Sequence, residues 1–231
     1  MTLQGKRVLV VGGTSGIGAA VTRMAATAGA DVITASRRDE ALSSAPAVAH
    51  LRLDISEEAQ VRSCLSGQLP FDHIVVSAGG AKPGKFRGQR SDAGALAFET
   101  KFWGAWRVAA HAPLTANASI TFISGIFAER PSAGQVAASC ANAALEALAR
   151  ALAVELGPIR VNAVSPGLVD TPMWHAMPEE RRTAYFASVA EKLPARRICS
   201  SEEVAGLVLA CMANPSLTGA VLKVDGGYTL V

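Results

Sequence analysis

The stretch Arg7-Val8-Leu9-Val10-Val11-Gly12-Gly13-Thr14-Ser15-Gly16-Ile17-Gly18 decides the fold. Val8 to Val11 is a short apolar run of the kind that forms a buried parallel strand, and a glycine-rich turn succeeds it at once. Ala19 to Ala28 is rich in good helix formers, and Gly29 stands where a helix would stop. Strand, glycine turn and helix is the arrangement that binds a dinucleotide. Gly12 allows a tight turn, Gly16 lets backbone N–H groups approach a pyrophosphate, and Gly18 lets helix pack on strand. Thr14, Ser15 and Ile17 complete the turn. The spacing is G-x-x-x-G-x-G, and glycine clusters also mark ordinary turns, so the dinucleotide reading rests on the rest of the chain.

The 231 residues suit one α/β domain, 1–231, with a full-sized core. Half of the residues are apolar, yet no apolar run approaches the roughly 18 residues that span a bilayer. Met1 to Lys6 has no hydrophobic core of a signal peptide, so a cytoplasmic protein is expected, without a membrane partner. Cys64, Cys140, Cys199 and Cys211 are scattered without metal-ligand spacing, and no metal site is expected. A net charge of +3, evenly spread, gives no argument for nucleic acid.

Strand-like and helical runs alternate to the end. Strands are expected at Asp31–Ala35, Val48–Leu53, Phe71–Ser77, Ser119–Ser124, Ile159–Val164 and Ala220–Val224. Helices are expected at Glu57–Ser66, Ala93–Ala112, Gly134–Leu156 and Glu202–Ala213. The pattern predicts a doubly wound, Rossmann-like sheet of about seven parallel strands with helices on both faces. Ligands then bind at the carboxyl edge, where the loops after Val11, Ala35, Ser77, Ser124 and Val164 converge. The second of these loops reads Ser36-Arg37-Arg38. An NAD site usually has an acidic residue there, roughly 20 residues past the glycines. Two guanidiniums instead favour a 2′-phosphate, and hence NADP(H), over a solvated Arg pair.

These motifs, in this order, resemble the short-chain dehydrogenase/reductase family over essentially the whole chain. Asp54-Ile55 stands where the family contacts adenine, and Ser77-Ala78-Gly79 where it usually has Asn-Ala-Gly, with Val76 replacing a further Asn. Ile159 to Gly167, then Val169 and Thr171, is close to the family pattern, in which Pro166-Gly167 and the Thr hold the nicotinamide end. Val224-Asp225-Gly226-Gly227 matches the family's C-terminus; Val11 replaces the usual Thr before the first glycine.

The catalytic positions depart from the family. Its Y-x-x-x-K places a Tyr that protonates a carbonyl oxygen and a Lys that lowers the Tyr pKa and bonds ribose. Here Ala138 stands at the Tyr and Asn142 at the Lys, while Tyr185 and Tyr228 lie far along the chain. The serine pair is Ser124-Gly125, one residue out of register, and the family's Asn is Lys101. The Asn and the Lys have in effect exchanged places. If the two helices pack as the resemblance implies, Lys101 supplies the positive charge, to a substrate oxygen or ribose, Asn142 holds water or a ribose hydroxyl, and Ser124 bonds the substrate oxygen. The bland alternative is a helix lysine whose stem packs on Phe102 or Trp103 and whose head reaches water.

The resemblance implies an NADP(H)-dependent oxidoreductase with non-standard acid/base residues, acting on a small carbonyl, enone, quinone or imine. A non-catalytic NADP(H)-binding sensor or partner subunit is the alternative, with non-redox chemistry a third reading. Trp174, His175 and Met177 line a pocket or only pack the covering segment; Glu129 and Arg130 read as a surface ion pair and Cys140 as packing. The helix from Ala143 to Leu156, apolar nearly all round, is expected to be buried, its outer face pairing with a second subunit in a homodimer or homotetramer.

Overall fold

The computed structural model describes residues 2–39, 48–81, 83–87 and 92–231. Seven strands form one parallel sheet: β1 (Arg7–Val11), β2 (Asp31–Ser36), β3 (Ala49–Arg52), β4 (Phe71–Val76), β5 (Leu114–Ile123), β6 (Arg160–Pro166) and β7 (Val221–Val224). The spatial order is β3-β2-β1-β4-β5-β6-β7, so the chain reverses direction across the sheet between β1 and β4.

Alternation along each strand divides the core in two. Leu9 and Val11, with Ile74, Val76, Ile120 and Phe122, face a layer built from α2 (Glu58–Ser66), α4 (Gly104–His111) and α5 (Val136–Glu155). Val8 and Val10, with Val75 and Val164, face α1 (Gly16–Thr27) and α7 (Ser201–Ala213). Apolar residues at every position of a strand mean burial on both faces, and both faces are covered. The R-V-N of β6 has a structural purpose: Arg160 donates to the carbonyls of Cys211 and Met212, and Asn162 ties down Leu217 and Ala220.

Three expectations need correction. The helix expected at Ala93–Ala112 is three pieces: α3 (Asp92–Ala97), a π-helical segment (Phe98–Trp103) and α4. Strand β5 begins at Leu114, five residues early, because its first half pairs at Phe71 across a register shift. A further helix, α6 (Glu179–Ala190), buries no residue and shows no strong apolar stripe in sequence. In the single chain α5 is buried on one face, and the face expected to pair with a second subunit points outward. It buries Ala141, Asn142, Leu145, Leu148 and Ala149, while Val136 and Val154 are exposed, the latter 87%.

Candidate active site

Parallel register brings the carboxyl ends of β1, β2, β4, β5 and β6 to one edge. The glycine turn stands at its middle. Gly12 has φ +82°, and a Cβ there would lie 2.8 Å from the Ala78 nitrogen. A Cβ on Gly18 would run into the Gly12 carbonyl, so helix α1 can approach β1 only without one. Ser15 makes no side-chain cap and the first turn of α1 holds no acid, which leaves its N–H groups to an outside anion. By contrast, α7 is closed by a full capping box between Ser200 and Glu203.

Around the turn lie the other residues expected to hold a cofactor. Arg37 and Arg38 are exposed just past β2, and Ser36 Oγ closes that bend on the backbone of Arg38. Burial raises the Asp54 pKa, but the Ser56 hydroxyl and N–H and the Arg37 guanidinium outweigh it and leave the carboxyl below its usual range. Ile55 is buried against Gly104, where a Cβ would meet its side chain at 2.5 Å. Gly167 closes on Asp225, whose carboxylate gathers the Gly227 N–H and both Thr229 donors. Pro166 ends β6, and Val169 bridges to Cys199. Thr171 faces Gly16: a Cβ on that glycine would stand 3.3 Å from the Thr171 side chain. The Thr171 hydroxyl is buried and has no hydrogen-bond partner among the described residues. A buried orphan hydroxyl at the mouth of an uncapped helix fits a group that brings its own acceptor or donor.

Lys101, Asn142 and Ser124 meet at the same edge. Lys101 comes from the π-helical segment; Asn142 sits on α5, and Ser124 comes directly after β5. The ammonium donates to the Ser124 carbonyl at 2.8 Å and to Asn142 Oδ1. Two of its three protons are thus engaged among the described residues. Lys101 is partly buried by surface area, with its charged end densely surrounded, and burial draws its pKa down from 10.5 to about 8. Gly79, with φ +122°, lies along the lysine stem; a Cβ there would be 2.5 Å from Lys101 Cγ. The alternative of a lysine head in water does not hold. A Cβ on Gly125, beside Ser124, would meet the Asn142 amide nitrogen at 3.0 Å.

Ser124 is not presented as expected. Its hydroxyl donates to Glu146 Oε1 at 2.8 Å. Glu146 stands one turn beyond Asn142 on α5 and was missed in sequence, where it reads as a stray charge in an Ala/Leu helix. Its i, i+4 spacing from Asn142 was the available signal. Burial pushes its carboxyl pKa up, Glu129 adds to the rise, and the Ser124 hydroxyl, Arg150 and Lys101 oppose it. Glu129 pairs with Lys223 at 2.6 Å rather than with Arg130. Trp174 donates to the Val169 carbonyl and packs on Tyr185 and Phe186, with ring centroids 5.6 and 5.7 Å away, so it fastens this segment to α6; His175 is exposed and Met177 partly buried. No metal-binding cluster occurs among the described residues.

A parallel sheet with a glycine turn at its switch point defines a doubly wound α/β protein of the Rossmann class. The family profile described as Enoyl-(Acyl carrier protein) reductase matches residues 11–229. The short-chain dehydrogenase/reductase ucsE of an Acremonium species is 33% identical over 252 residues, covering 97% of this chain and 96% of that protein. A cis-4-hydroxycyclohexanecarboxylate dehydrogenase of Sinomonas cyclohexanicum is also 33% identical, covering 98% of each. Among solved structures, a small-chain dehydrogenase in complex with NADPH superposes with a TM-score of 0.89 at 35% identity, covering 99% of this chain and 100% of that one. The chain belongs to the short-chain dehydrogenase/reductase family.

Proposed function

We propose that residues 1–231 form one NADP(H)-binding domain that reduces, or in reverse oxidises, a small carbonyl, enone, quinone or imine. The observation that carries this reading is the Lys101–Asn142 hydrogen bond, which holds an ammonium at the carboxyl edge of the sheet although no tyrosine stands on α5. The pyrophosphate would lie on Gly12, Thr14, Ser15, Gly16, Ile17 and Gly18, with the 2′-phosphate at Ser36, Arg37 and Arg38. Asp54 and Ile55 would take the adenine, Ser77, Ala78 and Gly79 the ribose side, and Pro166, Gly167, Val169 and Thr171 the nicotinamide. The NADPH complex of the structural relative supports this cofactor. When bound, the reduced cofactor supplies a hydride.

The protein's part is to hold charge where it develops. Lys101 presents its remaining N–H to the substrate oxygen, and its ammonium stabilises the oxyanion that hydride addition creates. Asn142 and the Ser124 carbonyl fix the direction of that N–H. With a pKa near 8, the lysine is also suited to giving up the proton close to neutral pH. Calorimetric titration with NADPH, NADP⁺ and NADH tests the cofactor reading: NADPH binds more tightly than NADH, and failure of every dinucleotide to bind overturns it. A large affinity gap between NADPH and NADP⁺, without turnover, supports the sensor alternative.

The assembly proposed is a homodimer or homotetramer. Trp103 and Trp106, 44% and 47% exposed, stand at the outer face of the α3–α4 helix. The outer residues of α5, Val136, Cys140, Ala143, Ala147, Ala151 and Val154, recur at spacings of three and four. A second copy covers such a face with itself. Ala147→Glu puts a charge in that seam and is expected to release monomer in light scattering after gel filtration; an unchanged mass contradicts this interface.

A further inference from the structure

We propose that Glu146 is the counter-charge of Lys101, a carboxylate anchored through the Ser124 hydroxyl that keeps the ammonium protonated while the site works near neutral pH. The inference rests on the reading of Lys101 as the acid of the site. Its geometry is a bridge through one residue. Ser124 offers its carbonyl to the Lys101 ammonium at 2.8 Å and its hydroxyl to Glu146 Oε1 at 2.8 Å. Asn142, which also holds the ammonium, is one helical turn from Glu146. Cation and anion are thereby fixed to the two ends of a buried serine, without touching each other. Because they stay apart, the carboxylate acts through space and leaves the third ammonium proton uncommitted among the described residues.

The surrounding charges single out Glu146. Burial lowers the Lys101 pKa, and Glu146 is the charge that opposes it among the described residues. On the lysine's own helix, Glu99 is taken up by Arg107 at 2.6 Å. Glu129, beyond β5, is paired with Lys223, and Arg150 lies one turn past Glu146 on α5. The β4 loop contributes glycine at Gly79, which adds packing and no charge. A buried amine without a nearby anion would lose its proton well below the usual lysine range and cease to be an acid. Glu146 is therefore a positioning residue that acts through Lys101.

The test is Glu146→Gln, which keeps an acceptor for the Ser124 hydroxyl and removes only the charge. The Lys101 titration is tracked by NMR in protein carrying isotope-labelled lysine, without cofactor, and is assigned by its loss in Lys101→Met. The midpoint is expected to fall by about one pH unit in Glu146→Gln, with recovery in Glu146→Asp. The alkaline limb of kcat should move by the same amount, while the NADPH dissociation constant stays within about twofold. An unmoved Lys101 midpoint in Glu146→Gln overturns the proposal. A shifted midpoint with an unmoved kcat limb upholds the counter-charge and instead overturns Lys101 as the acid. If Glu146→Gln does not fold, Glu146→Asp decides by itself: a Lys101 midpoint and a kcat limb kept at their wild-type pH support the proposal, and a fall of either contradicts it.

Discussion

Lys101→Met is expected to lower kcat by about 10²–10⁴-fold, the range for loss of a positioned general acid. Met preserves the length of the stem that packs on Gly79, so the cleft keeps its shape while the charge is gone. The NADPH dissociation constant should change only a few-fold, because the proposed partner of the ammonium is the substrate oxygen and not the cofactor. Stopped-flow turnover and fluorescence titration, measured on one preparation, separate the two quantities. Loss of NADPH affinity with kcat intact would instead assign Lys101 to the ribose. The residual rate also has a pH signature. Wild-type reduction should fall as the pH rises through about 8, where the lysine loses its proton, and the variant should lack that limb.

The second large effect concerns cofactor choice. Replacing both guanidiniums in Arg37→Ala/Arg38→Ala is expected to weaken NADPH by at least roughly 10²-fold, as for the loss of two charge-assisted hydrogen bonds worth about 1.5–3 kcal/mol each. NADH, which lacks the 2′-phosphate, should bind the variant about as well as it binds the wild type. Both side chains are exposed beside β2, so the fold should not suffer. Salt sharpens the distinction: the NADPH preference of the wild type should decline with ionic strength, since exposed charges are screened. Equal weakening of both cofactors would place the phosphate elsewhere.

The glycine turn was legible because its chemistry is local. A strand buried on both faces needs an unbroken apolar run, and Gly12 and Gly18 are demanded by backbone contacts that any side chain would block. The meeting of Lys101 and Asn142 was expected from the resemblance, and the structure brings the two side chains together. The break in the helix around Lys101 was not. A π-helical segment differs from an α-helix in which carbonyl each N–H meets, and Phe98 to Trp103 carries no proline or glycine to announce the change. That wider turn holds the lysine, and such segments often occur at functional sites. Ser124 comes to the same edge as Lys101 and Asn142, and its hydroxyl donates to Glu146, a partner the sequence reading did not name. A side chain's direction depends on its partner in space, and the apolar pattern from Ala143 to Leu156 concealed that partner. The same pattern predicted a helix covered on both sides, and the single chain covers only one of them. Helix α6 escaped notice since it buries nothing and so has little apolar periodicity to detect.

We propose that this chain moves hydride with Lys101 doing the work of the family's tyrosine. The most direct measurement is the loss of nicotinamide absorbance when the protein, saturated with NADPH, meets a panel of quinones, enones, cyclic ketones and imines. At least one member should be reduced with turnover by the wild type, and that turnover should collapse in Lys101→Met while NADPH still binds. Undiminished turnover in Lys101→Met would contradict the claim, as would tight NADPH binding with no oxidation by any electrophile.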